Sequence, residues 1–213
     1  SSLCQKSACD FQCYWTFCFT LGAEKIMKSF PKLFLAAVLL ITYGFTSISF
    51  ARDLAYIDQA LNPAKLQGSG KLTWWGLHIY DASFYRAGSF NSSEFALNLQ
   101  YHKSLSGLAI ANRSAEEMKK LGIPDTQAQV WGKQLTTFLP NVEPGQSLTA
   151  IYIPKQGTTF YFDGKPLAQI AGADFSKAFF GIWLDSKTTA PKLREQLLGQ
   201  HCPPPLLEES CKQ

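Results

Sequence analysis

Between Arg52 and Gln200 the chain has no cysteine, so no disulfide can staple that span and no thiol chemistry is open to it. A fold built there must stand on its core. Charge is also scarce: 17% of residues are charged, with 20 Lys+Arg against 16 Asp+Glu. Within 52–200 the balance is 15 against 12, or +3. The basic residues are scattered rather than striped, which argues against binding nucleic acid through its phosphates. Catalytic signatures are missing too. There is no G-x-S-x-G, no H-E-x-x-H and no G-x-G-x-x-G. Gly68-Ser69-Gly70-Lys71 fails as a phosphate loop, because Lys65 stands where a glycine is needed and Leu72 where a Ser or Thr is needed. His78 and His102 are too far apart in sequence for a local metal motif. No metal and no cofactor is expected.

What is abundant is apolar and aromatic. The 213 residues are 46% hydrophobic and include 16 Phe, 8 Tyr and 5 Trp, which suits one domain with appendages. That aromatic content points to a β-rich core or an apolar cavity.

The N-terminal region has the layout of a secretory signal peptide over residues 27–51. Met27-Lys28-Ser29-Phe30-Pro31-Lys32 is basic, Leu33–Ile41 is apolar, and Ser49-Phe50-Ala51 is a small-x-small cleavage site. The apolar stretch is nine residues, well short of the roughly 20 needed to span a bilayer. Extended through Phe50 it would serve as an uncleaved anchor; cleavage and export to the periplasm is the expectation, with no stable membrane span afterwards. Residues 1–26 are read as a spurious or non-native upstream segment. Their Cys4, Cys9, Cys13 and Cys18 lack the paired knuckles of compact zinc sites. Residues 201–213, with Cys202 and Cys211, are read as a tail outside the domain at 52–200.

Along that domain, Leu66–Arg86 alternates as a β-hairpin opened by Gly68-Ser69-Gly70 and turned at Gly76. Phe95–Tyr101 is a third strand. The first helical signal is Leu105-Ser-Gly-Leu-Ala-Ile-Ala111; Ser114-Ala115-Glu116-Glu117 reads as a capping box ahead of Met118, Lys119 and Lys120, stopped by Gly122, and another helix runs from Pro124-Asp125 to Pro140. Strands return at Ser147–Ile153, Gly157–Phe162 and Pro166–Ile170, with Asp163-Gly164 as a tight turn. Asp174 is expected to cap a helix through Trp183, and Pro191 to open a final one. Runs of strands segregated from runs of helices indicate an α+β fold, an antiparallel sheet with a helical layer on one face.

The candidate functional groups are polar side chains set among aromatics. Lys71, His78, Tyr80 and Tyr85 share the first hairpin, Tyr101 ends the third strand, and Arg113 is read as following the first helix. A cation with one or two tyrosine hydroxyls is suited to holding a carboxylate or phenolate at the mouth of an apolar cavity. The plainer reading of the same pattern is a set of amphipathic strands with solvated Lys and Arg.

The block Gly68-Ser-Gly-Lys-Leu-Thr-Trp-Trp-Gly-Leu-His-Ile-Tyr-Asp-Ala-Ser-Phe-Tyr85 resembles the first block of the bacterial chalcone isomerase-like proteins. Phe175–Asp185, Thr188–Gly199, Phe138–Gly145 and Phe162-Asp-Gly164 follow in the family's order, so the resemblance spans about residues 54–199. It implies an open-faced β-sandwich with a ligand cleft between sheet and helices. In the plant enzymes of this family a phenolate adds to an enone, helped by an arginine near the first block, a second-strand threonine and a helical Ser/Thr. Here Lys71 is the nearest cation to the arginine's place, and a rough alignment sets Tyr80 and Ile182 at the other two. Other members bind fatty acids without chemistry. The resemblance therefore implies a binding protein for a small amphipathic ligand, a fatty acid or an aromatic acid. An isomerase or intramolecular lyase acting on an enone-like compound is the alternative, and a ligand-free envelope protein the plainest one.

Overall fold

Six strands pair in chain order, each antiparallel to the next. They are β1 (Ala64–Trp74), β2 (Leu77–Ala87), β3 (Phe95–Tyr101), β4 (Ser147–Ile153), β5 (Gly157–Phe162) and β6 (Lys165–Ile170). This computed structural model describes residues 54–89 and 91–207; the expected signal peptide at 27–51 and residues 1–26 lie outside them. Helices α2 (Gly107–Lys120) and α3 (Asp125–Thr136) link β3 to β4, and α4 (Ala173–Leu184) and α5 (Pro191–Leu198) follow β6. A short helix, α1 (Ala55–Leu61), precedes β1 and was not anticipated from the sequence.

Alternation along the strands divides the core in two. Phe84, Leu97, Leu99, Ala150 and Phe160 face the helical layer, where they meet Met118, Leu135, Phe179 and Phe180. Phe84 and Phe180 are completely buried, and each such side chain contributes about 1.5–3 kcal/mol. The intervening positions, Ala96 and Ile151, look the other way and pack on Ile57 and Leu61 of α1. The expected α+β architecture is therefore present. To the helical layer on one face it adds a small helix on the other.

Four local features differ from what the sequence pattern predicts. Gly68 and Gly70 lie inside β1 rather than opening the hairpin. A Cβ on Gly68 would stand 2.2 Å from the Gln196 carbonyl oxygen, so glycine is what lets the α5 backbone approach the sheet. Second, Ser114 is not a cap. The cap of α2 is Ser106, whose Oγ accepts from the Ala109 N–H at 3.1 Å, while the Ser114 Oγ donates back to the Ile110 carbonyl. Third, Gly172 rather than Asp174 occupies the cap of α4; Asp174 sits in the first turn, where its charge suits the helix dipole. Fourth, packing continues past Gln200, since Pro203 and Pro204 are buried and Leu207 joins the main core. Cys202, in the same stretch, is disulfide-bonded. The hairpin turn falls at Trp75-Gly76, with φ of 51° and 76°, the left-handed pair of a type I′ turn.

Candidate functional site

Between the helical face of the sheet and helices α2 and α4 lies a cavity of about 430 Å³, within the usual range for small-molecule sites. Leu97, Leu99 and Leu148 form its sheet wall, Ile110 lines it from α2, and Phe179 and Ile182 line it from α4. Its polar groups are few. Tyr80, Tyr101, Thr73 and Thr149 come from the sheet, Arg113, Ser114 and Glu117 from α2, and Thr189 from the turn before α5.

Tyr80 and Tyr101 are cross-strand partners, their rings edge to face with centroids 5.7 Å apart. Trp183 donates its indole N–H to the Tyr80 hydroxyl at 2.9 Å. Burial pushes the Tyr80 phenol up to about 12, and burial raises Tyr101 as well. Both therefore present neutral hydroxyls at physiological pH.

Arg113 lies within α2 rather than after it. Its Nη2 pairs with Glu117 Oε1 one turn on, at 2.7 Å. Glu117 is nearly buried, and it also accepts from Lys120 Nζ at 2.9 Å and from the Thr189 hydroxyl at 2.6 Å. Burial alone would raise the Glu117 carboxyl. Hydrogen bonds from Thr189 and Lys120, with the charges of Arg113 and Lys120, outweigh it and hold the group below its ordinary value. The result is an anchored carboxylate that orients the guanidinium at the cavity's polar end. Tyr80 lies close enough to feel both charges.

Of the six sequence candidates, Tyr80, Tyr101 and Arg113 line this cavity. Lys71, His78 and Tyr85 do not. Lys71 is exposed and pairs across the hairpin with Asp81, on the face turned away from the helices. Tyr85 packs against the second core beside α1. His78 bonds Asp81, with Nε2 2.8 Å from Oδ1, and belongs to a separate cluster with His102. Lys71 and Tyr85 fall on the far side by plain strand alternation; for His78 the physical reason is a bulge. Leu72 pairs with Tyr80 and Thr73 with His78, so Ile79 is the extra residue and both Ile79 and Tyr80 line the cavity. Glu117, Thr189 and Trp183 were not anticipated. The i, i+4 spacing of Arg113 and Glu117 was the available signal, and reading Ser114–Glu117 as a cap concealed it.

A model of the chalcone isomerase-like family matches residues 48–199. An uncharacterized protein of Haemophilus influenzae is 31% identical over 136 residues, covering 62% of this chain and 67% of that protein. The crystal structure of an Arabidopsis thaliana fatty-acid binding protein superposes with a TM-score of 0.53 at 12% identity, over 68% of this chain and 91% of the other. That likeness is one of fold. Among the described residues no helix is long and apolar enough to cross a membrane. With a family match over most of its length and the same antiparallel sheet under a helical layer, this chain belongs to the chalcone isomerase-like family.

Proposed function

We propose that this chain is an exported, periplasmic protein that binds a small amphipathic acid, a fatty acid or an aromatic acid, between its sheet and its helices. One observation carries the reading. The cavity walls are apolar, and among the described residues lining them Arg113 is the single cation. An apolar tail gains by leaving water, and the guanidinium offers a two-pronged partner for a carboxylate. The description of the Arabidopsis neighbour as a fatty-acid binding protein supports the same class of ligand. The Met27–Ala51 layout supports export.

The test compares affinity for a long-chain fatty acid and for the matching alcohol. A charge-assisted bond contributes about 1.5–3 kcal/mol when shielded. The Arg113 side chain is 60% exposed, so the low end applies, and Arg113→Met should weaken the acid about five- to tenfold. The alcohol should bind as before. Lys71→Met, on the far face, should change neither. Equal weakening of acid and alcohol by Arg113→Met would remove the guanidinium from the head-group site. An isomerase reading draws on the two neutral tyrosine hydroxyls, which are suited to polarising an enone carbonyl. Turnover of a chalcone-type substrate that disappears in Tyr80→Phe would favour it.

A further inference from the structure

On the sheet face opposite the cavity, three metal-ligating side chains converge. Residues three apart on a regular strand point to opposite faces, so His78 and Asp81 should not meet. The bulge at Ile79 shifts the alternation by one and puts them on the same side. β3 ends at Tyr101 opposite Tyr80, and His102, the next residue, donates its backbone N–H to the Ile79 carbonyl at 2.8 Å. This locks the second imidazole beside the first. The two rings stack with centroids 4.0 Å apart. His78 Nε2 lies 2.8 Å from Asp81 Oδ1, and His102 Nε2 lies 2.6 Å from Asp81 Oδ2.

We propose that His78, Asp81 and His102 form a binding site for a divalent transition-metal ion, of which zinc is the representative. Each residue offers one ligand atom, and the three atoms lie within 4.8 Å of one another. Two imidazole nitrogens favour zinc, copper or nickel over magnesium or calcium, which prefer all-oxygen shells. Three protein ligands leave a fourth position for water. Bonds of about 2.0–2.1 Å in a tetrahedron separate ligand atoms by roughly 3.3 Å. The contacts at 2.8 and 2.6 Å, one to each carboxylate oxygen, open by about 0.5 and 0.7 Å, and any separation near the 4.8 Å limit closes, adjustments within the reach of side-chain torsions. The side chains are 37–46% exposed, so an ion can enter without disturbing the core. Lys71, opposite Asp81, and Lys103, next to His102, oppose the cation. Affinity should thus fall below that of closed four-ligand sites, with a dissociation constant on the order of 10 µM.

Calorimetric titration of the full chain with zinc chloride, its free thiols alkylated, tests this together with imidazole NMR. The expected result is one equivalent bound, coupled shifts of the His78 and His102 ring signals, and at least tenfold weakening in His78→Gln and in His102→Gln. A titration unchanged in both variants would overturn the proposal. So would ring signals that stand still as zinc is added to the wild-type chain, leaving the histidines as plain hydrogen-bond donors to Asp81.

Discussion

Trp183 and Tyr80 are 103 residues apart in sequence, and the indole N–H of one ends 2.9 Å from the hydroxyl of the other, tying α4 to β2 across the cavity. The bond is buried at both ends, so neither group has water to fall back on.

Tyr80→Phe keeps the ring and removes the acceptor. The indole N–H is then buried without a partner, which costs about 1–3 kcal/mol. Urea denaturation should register that loss. Adding Trp183→Phe should cost less in the Tyr80→Phe background than in the wild type, because the stranded donor goes with the indole. Strict additivity of the two changes would mean that the bond contributes nothing.

Gly68 and Gly76 make a second contrast. At Gly68 a methyl group would collide with backbone, 2.2 Å from the Gln196 oxygen and 2.5 Å from the Leu197 oxygen. Neither atom belongs to a side chain that can swing away. Gly68→Ala should therefore cost about 3 kcal/mol or more, the upper end for overpacking. At Gly76 the space is open, and the cost is the left-handed φ of 76° alone, about 1–2 kcal/mol. If Gly76→Ala proves the more damaging in thermal melts, the close approach of α5 to β1 is not what requires glycine at position 68.

The strands were legible because short runs rich in β-branched and aromatic residues stand between turn residues, even where burial is continuous, as through Ser147–Tyr152. Ser147–Ile153 and Gly157–Phe162 come out with the expected ends. Helix α2 was legible in kind but not in extent, since Ser106 and Ser114 both offer a capping hydroxyl and only tertiary packing chooses between them. The site was half legible. A residue's parity on β2 decides whether it faces the cavity, and parity flips at the bulge on Ile79, which leaves no mark in composition or spacing. Lys71 misses the cavity by plain alternation, one residue from Leu72, whereas the wide sequence separation of His78 and His102 argues only against a local metal motif. Strand pairing brought those two together, as it brought Tyr80 to Tyr101.

Glu117 makes stability depend on acid. Its carboxyl is held below its ordinary value in the folded chain, so its contribution is complete above the ordinary carboxylate range and drains away as pH falls through that range. Glu117→Gln removes the titrating group. The stability gap between wild type and Glu117→Gln should be wide at pH 7 and should narrow progressively as pH falls below the ordinary carboxylate range. A gap of constant width would show that the carboxylate's charge is not what ties α2 to Thr189.

Arg86 is the least comfortable charge in the described structure. It is 1% exposed, on the inward face at the end of β2. Its Nη2 donates to the Ser92 carbonyl at 2.7 Å, while Nε and Nη1 are buried without partners among the described residues. Burial lowers the guanidinium to about 10. Burying the charged guanidinium therefore carries a desolvation cost that one hydrogen bond only partly offsets. Arg86→Met keeps most of the stem and removes the charge. The substitution forfeits one charge-assisted bond, about 1.5–3 kcal/mol, and recovers a desolvation cost of at least that size. Urea denaturation at pH 7 should find Arg86→Met as stable as the wild type or more so. Arg86→Lys keeps a charge but loses the planar reach to Ser92, and should be the less stable of the two. A loss of more than about 3 kcal/mol in Arg86→Met would instead mean that the guanidinium is a necessary clasp on the loop between β2 and β3.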